Sequence, residues 1–175
     1  MRASLLAVLP RFLALFLALS LAGCSDDEPD PTSAVDPTPP TGPAFAIADS
    51  GGCGDAFFWA ADADGSHVIQ VHVEQRDRSA TKPTTLEITV PDRAVTATLQ
   101  SGRDLTGDQC NDLLMGEVSG EQEIVEGSGT MTLDPPSTDH GYVRGTLTMT
   151  GLLADDGTVL PDLTIESDTI GFYAG

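Results

Sequence analysis

Basic side chains are scarce in this 175-residue chain: 8 Lys and Arg stand against 27 Asp and Glu, a formal net charge of −19. Binding to a phosphate backbone is driven by Lys and Arg displacing counterions, so the sign of the charge makes nucleic acid and bare anionic membrane poor partners, and no nucleic-acid partner is expected. No apolar run reaches the roughly 20 residues that a membrane-spanning helix needs. Neither a Gly-x-Ser-x-Gly elbow nor a His-Glu-x-x-His helix occurs, so no catalytic residue is assigned and enzymatic activity has no specific support. A convincing amphipathic helix is also missing, which turns attention to strands.

Arg2 and Arg11 supply the only charges in the first 23 residues, and Phe12 to Ala22 is apolar apart from Ser20. A short basic start, an apolar stretch and small residues at its end have the layout of an export signal. Leu21, Ala22, Gly23 and Cys24 then match the four positions of the lipobox, and the segment resembles that of bacterial lipoproteins.

The resemblance implies cleavage before Cys24 and a diacylglycerol on its thiol, often with acylation of the new amino group. Two or three acyl chains anchor stably where one binds only marginally, at about 0.8 kcal/mol per buried methylene. The expected partner is therefore the membrane, reached through the N-terminal lipid. Ser25 in place of aspartate would permit passage to the outer membrane of a Gram-negative cell, and in a Gram-positive cell the chain would stay on the outer face of the plasma membrane. With Cys24 given to lipid, Cys53 and Cys110 remain as an even pair in an oxidising compartment, where a disulfide is the expectation. Free thiols or metal ligands are the alternatives, although no Cys-x-x-Cys occurs and neither cysteine has a histidine nearby.

Three segments follow: a signal peptide over 1–23, a tether over 24–43, and one domain over 44–175. The tether holds six prolines and five acidic residues with no basic one. It cannot bury enough apolar surface to offset the entropy of ordering. About 20 residues at roughly 3 Å each could stand the domain up to ~60 Å from the lipid. The mature chain has six basic and twenty-seven acidic side chains, a net charge of −21, which keeps it soluble and apart from the anionic surface it is held to.

The domain reads as short apolar alternations broken by Gly, Asp-Gly and Pro. Strands are expected at Asp55 to Ala61, His67 to Gln75, Leu86 to Val90 and Val95 to Leu99, the last two pairing as a hairpin across Pro91-Asp92-Arg93. Gly129-Thr130-Met131-Thr132-Leu133 and Gly145-Thr146-Leu147-Thr148-Met149 are near copies, expected as neighbouring strands with Met131, Leu133, Leu147 and Met149 in one core. A last strand runs through Leu163, Ile165 and Ile170 toward Phe172, and Leu113 to Val118 fits strand or helical turn. Eight or nine strands point to an all-β antiparallel sandwich, with a closed barrel as the alternative.

Asp62-Ala63-Asp64-Gly65 invites a calcium reading, but in the EF-hand frame its first and twelfth positions would be Ala60 and Val71, which cannot be charged ligands. A hairpin turn is the expectation there and at Asp155-Asp156-Gly157, and Asp104, Asp108 and Asp112 could serve only in a site built from separate loops. His67 and His72, five apart, fall on opposite faces of a strand. Cys53, Phe57 and Trp59 share one face of a regular strand, and Phe57 and Trp59 are expected inside, with Phe58 outward or under a loop. Core packing is the expectation for this aromatic run, and an exposed Phe58 would instead mark a binding surface, as would the less acidic edge of Arg76, Arg78 and Lys82. The expectation is a monomeric, non-enzymatic binding module, without cofactor, for an envelope protein or glycan. A calcium-dependent module and a small envelope hydrolase are the alternatives, the latter signalled by Ser, His and Asp side chains meeting in a pocket.

Overall fold

Alternation of apolar and polar residues produces eight antiparallel strands in the computed structural model, which describes residues 45–74, 80–111, 116–135 and 143–171. They are β1 Asp49–Cys53, β2 Phe57–Ala61, β3 His67–Val73, β4 Thr84–Val90, β5 Val95–Arg103, β6 Glu117–Leu133, β7 Val143–Ala154 and β8 Leu163–Ile170. A 3₁₀ turn, Leu105–Asp108, follows β5. All the described residues belong to one compact unit, Thr38–Gly175. Residues 1–44, including Cys24 and the tether, lie outside the described residues, as do Arg76, Arg78, Asp112, Phe172 and most of the unassigned stretch before Glu117.

The order β1-β2-β3-β5-β6-β7-β8, with β4 also on β6, wraps the sheet nearly into a barrel. Its ends meet at β1 and β8 without a ladder. Ser167 Oγ and Thr169 Oγ1 each donate to the Gly52 carbonyl at 2.7 Å, and the Gly171 N–H donates to Gly54 O at 2.7 Å. The fold class is all-β and antiparallel, and both the sandwich and the barrel description fit it.

The near-copy segments are neighbours, as expected. In the β6–β7 ladder Met131 faces Leu147, Gly129 faces Met149 and Gly145 faces Leu133; all four large side chains are buried. Each glycine sits opposite a long side chain, so bulk alternates across the pair. At Gly129 a Cβ would lie 1.8 Å from the Thr148 carbonyl oxygen, so the close approach of β6 and β7 there admits no side chain.

The expected β4–β5 hairpin does not form. β4 pairs with Gly127–Leu133 of β6, and β5 pairs with β3 and with Glu117–Glu123 of β6. Since β7 takes the other edge of β6, β4 and β5 follow one another along one edge and run the same way. Pro91–Ala94, with a cis Val90–Pro91 peptide bond and a Val95 N–H to Asp92 O bond of 3.2 Å, is a jog between them. Packing explains the partner: Ile88 and Val90 sit opposite Gly129 and Gly127, where β6 leaves room for them.

Phe58 is also placed differently from expectation. It is fully buried in the main core with Ile69, Val71 and Met131, and Phe57 and Trp59 take the outer face, both half-buried. The shared face of Cys53, Phe57 and Trp59 does follow from the β1–β2 register, but it is the outer one. That face is not bare. Leu105 closes on Ala61, Val68 and Trp59 as a second small core, and the Cys53–Cys110 disulfide fastens the covering segment. Gln109 adds to the fastening, accepting from Gln70 Nε2 at 3.1 Å and donating to Leu105 O at 3.0 Å. With both faces of β2 covered, burial could not distinguish Phe58 from its neighbours by parity alone.

Candidate binding site

The β2–β3 connection is built around Asp62. Gly65, at φ +66°, lets the chain reverse, and its N–H donates to Asp62 O at 3.2 Å. Asp62 Oδ1 accepts from the N–H groups of Ser66 (2.9 Å) and His67 (3.1 Å), and Oδ2 accepts the Ser66 hydroxyl at 2.9 Å. The ring of His67 completes the set, with Nδ1 at 2.8 Å from Asp62 Oδ2 and 2.9 Å from Ser66 Oγ. A carboxylate only accepts, so Nδ1 carries the hydrogen of the contact with Asp62.

Burial works to raise the Asp62 carboxyl, but the hydrogen bonds from the His67 ring and N–H and from Ser66 outweigh it and hold the group below its ordinary 3.8. The unfolded chain therefore takes up this proton more readily than the folded one. Asp62 stabilises the fold above about pH 3.8 and loses that contribution as pH falls through its lowered folded value. Acid titration of the melting temperature should show this loss, and Asp62→Asn should remove part of it; an unchanged acid limb would refute the assignment. Asp62→Ala, which strips the turn of its acceptor, should cost about 1–3 kcal/mol.

The turn borders a cavity of about 360 Å³ at one end of the barrel. Phe45 meets the His67 ring edge-on, with centroids 6.4 Å apart, and Leu99 and Leu160 supply apolar wall. On the far side Gln122 Nε2 donates to Asp156 Oδ2 at 2.6 Å, while Asp156 Oδ1 accepts the Thr158 N–H at 2.8 Å. The Thr158 hydrogen bonds, with a smaller contribution from Gln122, lower the Asp156 pKa. Asp155-Asp156-Gly157 is thereby a turn, closed by Gly157 N–H to Ala154 O at 2.9 Å, as expected from the sequence.

Ser, His and Asp side chains do meet here, but not in the order a nucleophile needs. A relay runs from carboxylate to Nδ1 and from Nε2 to serine. Ser66 lies on the Nδ1 side and gives its own hydrogen to Asp62. Ser101 is opposite His67 in the β3–β5 register and borders the same cavity.

No protein family, no curated protein and no solved structure matches the chain. The site therefore stands on its own geometry.

Among the described residues no group of three or more His, Cys, Asp or Glu could hold a metal ion. Phe58, buried in the core, offers no binding surface. Lys82 is exposed before β4. Arg103, paired with Glu117 at 2.8 Å, closes β5, so the β4–β5 line separates these two basic residues at its two ends. The local contacts of Asp62 with Ser66 and His67 had a sequence signal in an aspartate four and five residues ahead of them. Phe45, Ser101 and Gln122 had none, because only the sheet register and the chain path bring them to the cavity.

A second opening of about 360 Å³ lies between β4 and the end of β3, over Val73, Leu86 and Val95. Its wall is mostly apolar, with Glu74, Glu87 and Asp92 among the lining residues.

Proposed function

We propose that this protein is a lipid-anchored, non-enzymatic binding module of the bacterial cell envelope, which takes its ligand in the cavity beside His67. Cys24 carries the lipid, residues 24–43 form the tether, and the strand domain presents the site. The observation that carries the binding role is the His67 ring, oriented through Nδ1 by Asp62 and Ser66 at the border of the cavity. A fixed imidazole in a small, partly apolar pocket is suited to recognition, since its orientation costs nothing further on binding.

The disulfide fits an oxidising, extracytoplasmic compartment. Calcium dependence finds less support, because both oxygens of Asp62 are engaged by the turn itself. Cys24→Ala should move the protein from the membrane fraction to the soluble one, and retention in the membrane would overturn the anchor. Covalent labelling of Ser101 by a fluorophosphonate would overturn the non-enzymatic part in favour of a small hydrolase.

A further inference from the structure

Among the described residues β4 is laddered on one side only, to Gly127–Leu133 of β6. β1 and β8 also carry one ladder each, but they close on one another. The outer edge of β4 borders the opening above Val73, where the β3–β5 ladder ends with Val73 opposite Val95. Leu86, Glu87, Ile88 and Thr89 line that opening in unbroken succession. Side chains alternate across a strand, so consecutive residues on one wall set the edge of β4, not one face of it, against the opening. Leu86 and Val95 pack on the main core from this side, which gives the opening an apolar floor.

An edge strand is a template for a further strand, and the charge it carries decides which one it admits. Glu87, exposed at the centre of β4, has no ion pair among the described residues, and Glu74 and Asp92 line the same opening. A second copy of the chain pairing antiparallel along this edge would set Glu87 opposite Glu87, which is unfavourable. The tether is no better suited. Its six prolines lack the N–H that a ladder needs, and its five acidic residues carry the same sign as the edge. A basic segment complements it. We propose that the outer edge of β4 docks an extended segment of another protein, whose backbone continues the sheet, whose apolar side chains enter the opening beside Leu86 and Ile88, and whose Lys or Arg stands over Glu87. This site is separate from the cavity beside His67 and does not depend on what that cavity binds.

The test is amide NMR of the full chain in detergent, titrated with the blocked peptide Thr-Thr-Val-Lys-Val-Thr-Thr. Laid in register along β4, it sets its lysine over Glu87 and its valines beside Leu86 and Ile88. The controls are the same peptide with glutamate for lysine, with serine for both valines, and N-methylated throughout so that it cannot donate to a ladder. The lysine peptide should shift the signals of β4, Val73 and Val95 and bind about fivefold more tightly than the glutamate form. The serine and N-methyl forms should lose most of the binding. Glu87→Lys, at an exposed position, should fold and reverse the order of the lysine and glutamate peptides, a result that unfolding cannot imitate. Equal binding of the two charge forms, an order unchanged in Glu87→Lys, full binding by the serine or N-methyl form, or no shift from any peptide would overturn the inference. Shifts of the β4 signals with protein concentration alone would overturn it in favour of a second copy. Signals at Ser66, His67 and Gln122 report the other cavity, so the two readings fail separately.

Discussion

Phe58→Ala should destabilise the domain by about 3–5 kcal/mol, the range for emptying a large aromatic from a packed core. Phe57→Ala, one residue away, should cost about 1–2 kcal/mol, because its side chain is half-exposed and less apolar surface returns to water. The Phe58 ring is fully buried and reaches across the core: a Cβ on Gly145 would lie 3.1 Å from its Cζ, and one on Gly52 would lie 3.2 Å from its Cδ1. Those glycines from β7 and β1 shape the slot for the ring, so the neighbours cannot collapse far into the space it leaves. Urea denaturation of the two variants checks the order, and the melting temperature of Phe58→Ala should fall by roughly 15 °C. A greater loss at Phe57 would restore the opposite facing of β2.

Removal of the Cys53–Cys110 bond is the second large effect. The sequence separation of 57 residues gives about 4 kcal/mol on the chain-entropy account of cross-linking. The structure adds a local consequence. Cys110 ends the segment whose Leu105 covers Trp59, Ala61 and Val68, and the bond ties that segment to β1. In Cys110→Ser, or after reduction, the cover should open at a lower free energy than the main core unfolds. Trp59 is the only tryptophan in the chain, so its fluorescence reports this cover alone and should move to longer wavelength before the far-ultraviolet signal of the strands is lost. Coincident transitions with an unchanged melting temperature would show that the bond holds nothing in place.

Much of the architecture was legible because strand periodicity is a local property. The adjacency of β6 and β7, with Met131, Leu133, Leu147 and Met149 in one core, followed from two near-identical five-residue runs, and the turns at Asp62–Gly65 and Asp155–Gly157 from the affinity of Asp and Gly for reversals. Pairing partners are not local. Whether β4 lay against β5 or β6 depended on the small side of a strand more than thirty residues away, at Gly127 and Gly129. The facing of β2 likewise depended on a segment fifty residues downstream that covers its outer side, so the two parities of Phe57-Phe58-Trp59 were equally apolar candidates for the core.

The same division runs through the candidate site. Asp62, Ser66 and His67 are close in the chain, and their bonding needs only a reversal at Gly65. The sequence by itself determined the all-β class, the strong net acidity, and the residues that make that turn, because each is set by composition or by contacts within a few residues. Only the tertiary structure decided that Ser101 and Gln122 join His67 at one cavity, that Phe58 is inside and that a covalently fastened flap makes a second core outside. These depend on sheet register and on side-chain volume matched across strands, and both are settled by packing between segments distant in the chain.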